Sequence, residues 1–330
     1  MHNRRFLAVT VGLLMGLTGT ASASPAHSAM SAAVQASAAG KKVVFIQEIT
    51  ANVFSDQESC GAQAEARKLG LKYSTTGPST FSASAQTPYV NAVAAEHPAG
   101  VLIGPDDATA MQAPMMAMKQ EGIKLVELDT SLNNKSVSLS HISSNNASGG
   151  ALAADETGKV LGGHGVVLVL SLAPGVSTDD QRIQGFKQEI KAKFPGISLL
   201  PTQYDNNSTG TAASIVSSTL IAHPKLAAIF ATDLTNVEGA STGLVDAHNT
   251  SVKLIGFDAA PLQVTMLREG KLYAVVSQNP FLMGEDGVQQ LYNAFTGAHV
   301  TGTIITPLGI VTGANVSSPS VAHFLYRASC

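Results

Sequence analysis

The chain of 330 residues has no tryptophan, and Cys60 and Cys330 are its two cysteines. Two cysteines cannot close a zinc site by themselves, and neither stands near a histidine at metal-ligand spacing. The nine histidines are scattered, with no close pair on a helix face, so no metal and no other cofactor is expected. Charged residues make up only 13%, the net charge is −3, and like charges do not cluster. A nucleic-acid binder would carry a basic excess, so that class is excluded. No phosphate-cradling glycine loop and no plausible Cys–His pair is present. What remains is 45% hydrophobic residues, enough for a sizeable core in one large or two ordinary domains.

The first residues have a separate character. Arg4 and Arg5 precede an apolar stretch from Phe6 to about Leu17, and small residues follow to Ala21-Ser22-Ala23. This is the order of a cleaved export signal, with cleavage expected after Ala23. The stretch is shorter than the ~20 residues a membrane-spanning helix needs. The signal is assigned to 1–23 and a flexible leader, rich in small residues, to 24–40. The mature protein is expected to be soluble and outside the cytoplasm. There the two cysteines either pair, stapling the tail to the body, or remain free thiols.

From Lys41 the pattern alternates. Apolar runs at 42–47, 100–104, 123–129, 166–171, 226–232, 252–258 and 272–277 read as parallel strands buried on both faces. Helical stretches lie between them, such as 56–70, which ends in Gly70, and 179–196, which ends in Pro-Gly. About four strand–helix units precede a Ser-, Asn- and Gly-rich stretch at 140–150 that reads as a crossover, and about four follow it. The expected fold is α/β, with two similar doubly wound parallel-sheet lobes. Ligands of such sheets bind beyond the carboxyl ends of the strands.

Polar groups and rings gather at those ends. Glu48, Asn52 and Phe54 follow the first strand. Asp129, Thr232 with Asp233, Phe257 with Asp258, and Ser277 with Gln278 close later ones. Arg182, Tyr204 and Asp205 come from the helix and strand after 166–171. Planar polar groups bond hydroxyls and rings stack on C–H faces, which suits a sugar or polyol. Three carboxylates against one guanidinium (Asp129, Asp233 and Asp258 against Arg182) favour a neutral or cationic ligand over an acidic one.

The segments "GAQAEARKLGL", "VELDTS", "SHISSNNASGG", "RIQGF", "LIAHPKLAAIFATD" and "LIGFDAAP" together resemble the periplasmic sugar-binding proteins of ABC importers, of the ribose-binding type, whose fold is shared with LacI-type sensor domains. The resemblance runs from about Lys41 to Thr312. It implies the type 1 fold, two lobes joined by a three-stranded hinge, with crossings near Ser144, Gln278 and Leu308. The lobes would be 41–144 plus 279–307 and 145–278 plus 308–330. It implies a monomer that captures a small polyhydroxylated solute and delivers it to an ABC permease in the inner membrane. A receptor presenting its ligand to a membrane sensor is the alternative. The residues it implies at the ligand are Asn52, Phe54, Asp129, Arg182, Tyr204, Asp233, Phe257, Asp258 and Gln278. Three positions depart from the ribose pattern: Ser55 replaces a second ring, Thr130 a basic residue, and Asp233 an amide.

Several of these residues have a structural alternative, because Asp and Asn also cap helices. Asp106 and Asp107 are read only as caps, and "PMMAMKQ" at 114–120 as core methionine. "GASTG" at 239–243 matches G-x-S-x-G, with Asp258 and His299 following in hydrolase order. Ser241 falls well past the end of its strand, inside a helical stretch, so the match is read as chance and no catalysis is expected.

Overall fold

The computed structural model describes residues 37–330. The export signal and nearly all of the leader lie outside the described residues. The described chain forms two sheets with helices on both faces. The first contains β1 (Lys42–Ile46), β2 (Lys72–Thr76), β3 (Gly100–Ile103), β4 (Lys124–Leu128), β5 (Ser140–Ser144) and β12 (Thr303–Thr306), in the order β12-β5-β4-β3-β1-β2. The second runs β13 (Gly309–Thr312), β11 (Ala274–Ser277), β10 (Lys253–Phe257), β9 (Leu226–Ala231), β6 (His164–Ser171), β7 (Gly196–Leu199), and the short β8 (Gln203–Tyr204) also pairs with β6. Counted from its own first strand, each sheet has the doubly wound order second–first–third–fourth–fifth. Each then gains one edge strand from the far end of the chain, β12 parallel to β5 and β13 antiparallel to β11.

The continuous apolar runs follow from burial on both faces. In β1, Val44 and Ile46 pack against α2 (Ala83–Ala95) and α3 (Gln112–Gln120), where Met115 and Met118 are core residues as expected. Val43 and Phe45 pack on the other face against α1 (Val53–Lys68) and α9 (Pro280–Thr296). In the second lobe, Val167 and Val169 of β6 face α4 (Asn146–Leu161) and α5 (Ser177–Lys193). Leu168 and Leu170 face α6 (Thr209–Ala222), α7 (Leu234–Asp246) and α8 (Pro261–Arg268).

The stretch 140–150, expected to be a crossover, begins with a strand. Ser140, Ser143 and Ser144 are buried in β5 because their hydroxyls can be satisfied inside: Ser140 Oγ donates to the Thr301 carbonyl, and Ser144 Oγ lies 3.3 Å from Thr306 Oγ1. The chain passes between the lobes three times, from β5 into α4, from β11 into α9, and from β12 into β13. Cys60 on α1 and Cys330 form a disulfide with Cα atoms 5.3 Å apart.

In each lobe glycines let neighbouring helices lie in close contact. A Cβ on Gly150 of α4 would sit 2.0 Å from the Arg182 carbonyl oxygen of α5, and one on Gly185 1.9 Å from the Ala147 oxygen. In the first lobe, Gly61 and Gly284 bring α1 and α9 together in the same way, at 1.8 Å from the Phe281 oxygen and 2.0 Å from the Glu58 oxygen. Because these oxygens belong to the backbone, no side chain can turn aside to admit a methyl group. Gly150→Ala is therefore expected to destabilise the protein by about 1–3 kcal/mol or more. A lower urea midpoint at unchanged slope is the measurement; an unchanged midpoint would mean that the helices can part freely.

Candidate functional site

The carboxyl ends of the two sheets face each other across a cavity with an empty volume of about 540 Å³. The lobes touch around it: Ala108 N–H donates to the Gly175 carbonyl at 3.1 Å, and Ser131 N–H to Ser177 Oγ at 2.8 Å. This is a closed cleft.

The same backbone device places an aspartate from each lobe. Asp129 follows β4 and Asp258 follows β10, the fourth strand of each sheet. Both have left-handed backbones, φ 51° and φ 70°, a region that aspartate tolerates better than bulky residues. In both, the amide still donates to the neighbouring strand, Asp129 to Ile142 and Asp258 to Val276, each at 2.8 Å. The chain thus stays in the sheet for one more bond while the side chain turns into the cleft.

Arg182 comes from α5 and is buried. Nε donates to Asn146 Oδ1 at 2.8 Å and Nη1 to the Thr232 carbonyl at 2.9 Å, while the guanidinium lies 4.1 Å from the Phe257 ring centroid. Nη2 is left without a hydrogen bond and faces Asp129 Oδ1 of the other lobe at 3.9 Å. Asp179, one turn earlier, accepts from the Thr232 hydroxyl.

Asn52 and Asp233 combine a helix cap with a place on the cleft wall. Each caps a helix, Asn52 accepting from Phe54 N–H and Asp233 from Asn236 N–H, and each also lines the cleft. Phe54, Asp129, Arg182, Asp258 and Gln278 line it too. Two expected residues do not. Phe257 is fully buried: it is the last residue of β10, and strand alternation points its ring into the core beneath Arg182. Tyr204 sits in β8 against β6 and packs on the same core cluster, and Asn207, the second of two consecutive left-handed residues, reaches the cleft instead. Neither Asp106 nor Asp107 is a helix cap: Asp107 accepts from Thr109 and Ala110 N–H in the turn before α3, whose N-cap is Met111, and Asp106 turns inward and is buried.

Sequence reasoning missed Phe81, Thr178 and Asp179 as lining residues, and the buried Glu58 behind the cleft. Asp179 had a signal, since it stands one turn before Arg182 on the same helix face. Phe81 had none, because it lies in the loop after β2, a strand that no apolar run marks.

Ser241 lies within α7 and not at a strand-to-helix elbow. Asp258 accepts from Gln278 Nε2 and the Tyr326 hydroxyl, not from a histidine. Among the described residues no group of three or more His, Cys, Asp or Glu is arranged to hold a metal ion.

Among the described residues, Glu48, Asp129, Asp179, Asp233 and Asp258 line the cleft, against Arg182 as its one cation. Glu48 Oε1, Asp129 Oδ1, Asp233 Oδ2 and Gln278 Oε1 are buried without hydrogen-bond partners. A molecule that fits must therefore bring donors, with one acceptor for Arg182 Nη2. Burial pushes the Glu48 carboxyl up to about 7. Burial also raises Asp129 to about 8, outweighing the opposing pull of Arg182. Asp233 stands well above the ordinary carboxylate range, through burial and then the charges of Asp179 and Asp205.

Among proteins of known family, a family model described as "Periplasmic binding protein domain" matches residues 43–299. The ribose import binding protein of Escherichia coli (strain K12) is 30% identical over 278 residues, 82% of this chain and 91% of that protein. An ABC transporter solute-binding protein from Agrobacterium vitis, solved with alpha-D-tagatopyranose, is 32% identical with a TM-score of 0.85, covering 87% of this chain and 99% of its own. A solute-binding protein from Burkholderia graminis C4D1M, solved with D-arabinose, is 28% identical with a TM-score of 0.80, over 85% of this chain and 98% of that one.

Glu48 and Asp129 keep their protons in the folded empty cleft at pH values where the unfolded chain, with carboxyls near 4.5 and 3.8, has lost them. The stabilisation this brings is complete below about pH 4 and disappears as the pH rises through 7 and 8. The thermal midpoint of the ligand-free protein should fall by roughly 2 °C or more from pH 5.5 to 8.5. The Glu48→Gln/Asp129→Asn double variant should flatten that fall; an equal fall in both proteins would place its origin elsewhere.

Proposed function

This chain belongs to the periplasmic binding protein domain family, and from that premise we propose that it captures a small sugar or polyol between its lobes and delivers it to an ABC-type membrane permease. It works as a monomer and catalyses no reaction. The export signal at 1–23 directs it to the periplasm, with cleavage after Ala23. The lobes are 41–144 with 279–307, and 145–278 with 308–330. Hinge closure buries the solute, and the permease recognises the closed form.

The observation that carries this reading is the set of unpartnered acceptors, two of them on a carboxylate and an amide from opposite lobes, Asp129 and Gln278, converging on one closed cavity that the free Nη2 of Arg182 also faces. A polyhydroxylated molecule supplies several donors on one small rigid frame, and its hydroxyl oxygens can accept from Arg182. Phe54 and Phe81 add rings that can lie against C–H faces. An acidic ligand would bring its charge among five buried carboxyl groups with one guanidinium to meet it, and an unpaired buried charge is costly. A neutral sugar fits, and an amino sugar gives the acid at Asp233 an ammonium to meet.

Thermal-shift screening of D-ribose, D-arabinose, D-tagatose, D-allose and D-glucosamine should find a member that raises the midpoint, because a ligand that binds only the native state stabilises it. Calorimetry with matched neutral, amino and acidic sugars should then rank the acidic one last. Asp258→Ala should weaken the best ligand about tenfold or more, the contribution of one hydrogen bond to a charged group. Tightest binding of the acidic sugar would show the charge reading to be wrong. Esterase activity lost on Ser241→Ala would overturn the non-catalytic one.

A further inference from the structure

The matched family region ends at residue 299, and the chain then continues through β12 and β13 into a tail over residues 313–330. The tail touches both lobes. A 3-10 helix, Pro319–Phe324, packs on β13, and the Phe324 carbonyl accepts from Ser277 Oγ at 2.7 Å, beside a crossing between the lobes. Tyr326 N–H donates to the Ala259 carbonyl at 3.0 Å. Its buried ring packs against Leu234 and Ala260 of the second lobe and against Val53 and Phe54 of the first. The rings of Phe54 and Tyr326 meet edge-on with centroids 6.0 Å apart. The tail then crosses fully: the Arg327 carbonyl accepts from Gln57 Nε2 at 3.1 Å, and Cys330 is bonded to Cys60, both partners lying on α1.

Tyr326 also reaches the ligand cleft from behind. Its hydroxyl donates to Asp258 Oδ1 at 2.6 Å, and Gln278 Nε2 donates to the same oxygen at 3.1 Å. Among the described residues, both hydrogen bonds to this carboxylate fall on Oδ1, so the group is fixed in orientation without spending its other oxygen. One tail residue thus supports two residues of the cleft wall, Asp258 from one lobe and Phe54 from the other.

We propose that the tail is a clasp across the two lobes, in which Tyr326 positions Asp258 and Phe54 for the polyhydroxylated ligand and the Cys60–Cys330 bond limits how far the lobes part. This rests on the reading of the cleft as a solute site. Opening must separate Tyr326 from either Phe54 or Asp258, while the disulfide keeps the tail on the first lobe. The open state is accordingly held to a narrow range, and the tail is returned to the same place on each closure.

The test has two arms. In the first, Tyr326→Phe keeps the ring and removes the hydroxyl. It should raise the dissociation constant of the tightest sugar in the panel about tenfold. In an Asp258→Ala background the same substitution should change it less than about twofold, because the hydroxyl acts through that carboxylate. Equal losses in both backgrounds would reduce Tyr326 to a packing residue and overturn its positioning role. In the second arm, small-angle scattering compares the ligand-free disulfide-bonded chain with the Cys60→Ser/Cys330→Ser variant. The variant should have the larger radius of gyration; equal radii overturn the clasp. If the wild-type protein binds no sugar of the panel, the solute-site reading fails and Tyr326's positioning role with it, and the scattering comparison still decides the clasp.

Discussion

The closed cleft is organised around one enclosed guanidinium. A buried cation is unfavourable unless its hydrogen bonds are met and opposite charge lies near. Arg182 satisfies this with parts of the fold that would otherwise have no reason to meet: Asn146 at the start of α4, the carbonyl of Thr232 beyond β9, and the ring of Phe257 at the end of β10. Its last nitrogen is left for the cleft and for Asp129 on the other lobe. That arrangement requires α5 to lie close against α4, which in turn requires glycine at 150 and 185. Helix packing, core aromatics and cleft chemistry are therefore one constraint seen at three depths.

The two lobes solve the same local problem in the same way. A parallel strand buried on both faces has no side chain free for chemistry until it ends. Asp129 and Asp258 turn into the left-handed region at the first position past the strand. Each keeps its amide in the sheet, so the carboxylate is held by the stiffest part of the lobe. Burial first, and neighbouring acids second, lift Asp129 and Asp233 well above the ordinary carboxylate range. A ligand bearing hydroxyls can take over as donor when the lobes close.

Much of this was legible in the sequence. The long apolar runs gave away β1, β3, β4, β6, β9, β10 and β11, because double-sided burial leaves no polar position to interrupt them. The edge strand β2 and the interior strand β5 were hidden. In β2, Lys72, Ser74 and Thr75 are exposed, and β5 is written largely in serine whose hydroxyls are satisfied internally. At the cleft, the residues immediately after strands were readable because strand ends all face one way. Phe257 misled by standing one position too early, where alternation still points the ring into the core. Tyr204 misled because β8 is a side branch of the sheet. Tyr326 could not be read at all: its role depends on a tail that returns to the cleft from the far side of β13, and no local pattern encodes such a return.

The bond between Cys60 and Cys330 spans 270 positions of sequence. In topological terms most of the described chain is a closed circle that includes all three passages between the lobes and the whole of the second lobe. Cutting a circle once makes it a line and releases nothing. A protease that nicks a single surface loop anywhere inside this circle therefore leaves one covalent molecule, with both lobes still attached to each other by the remaining arc. For a protein that operates among extracytoplasmic proteases, two cuts, or one cut and a reductant, stand between damage and loss of a piece.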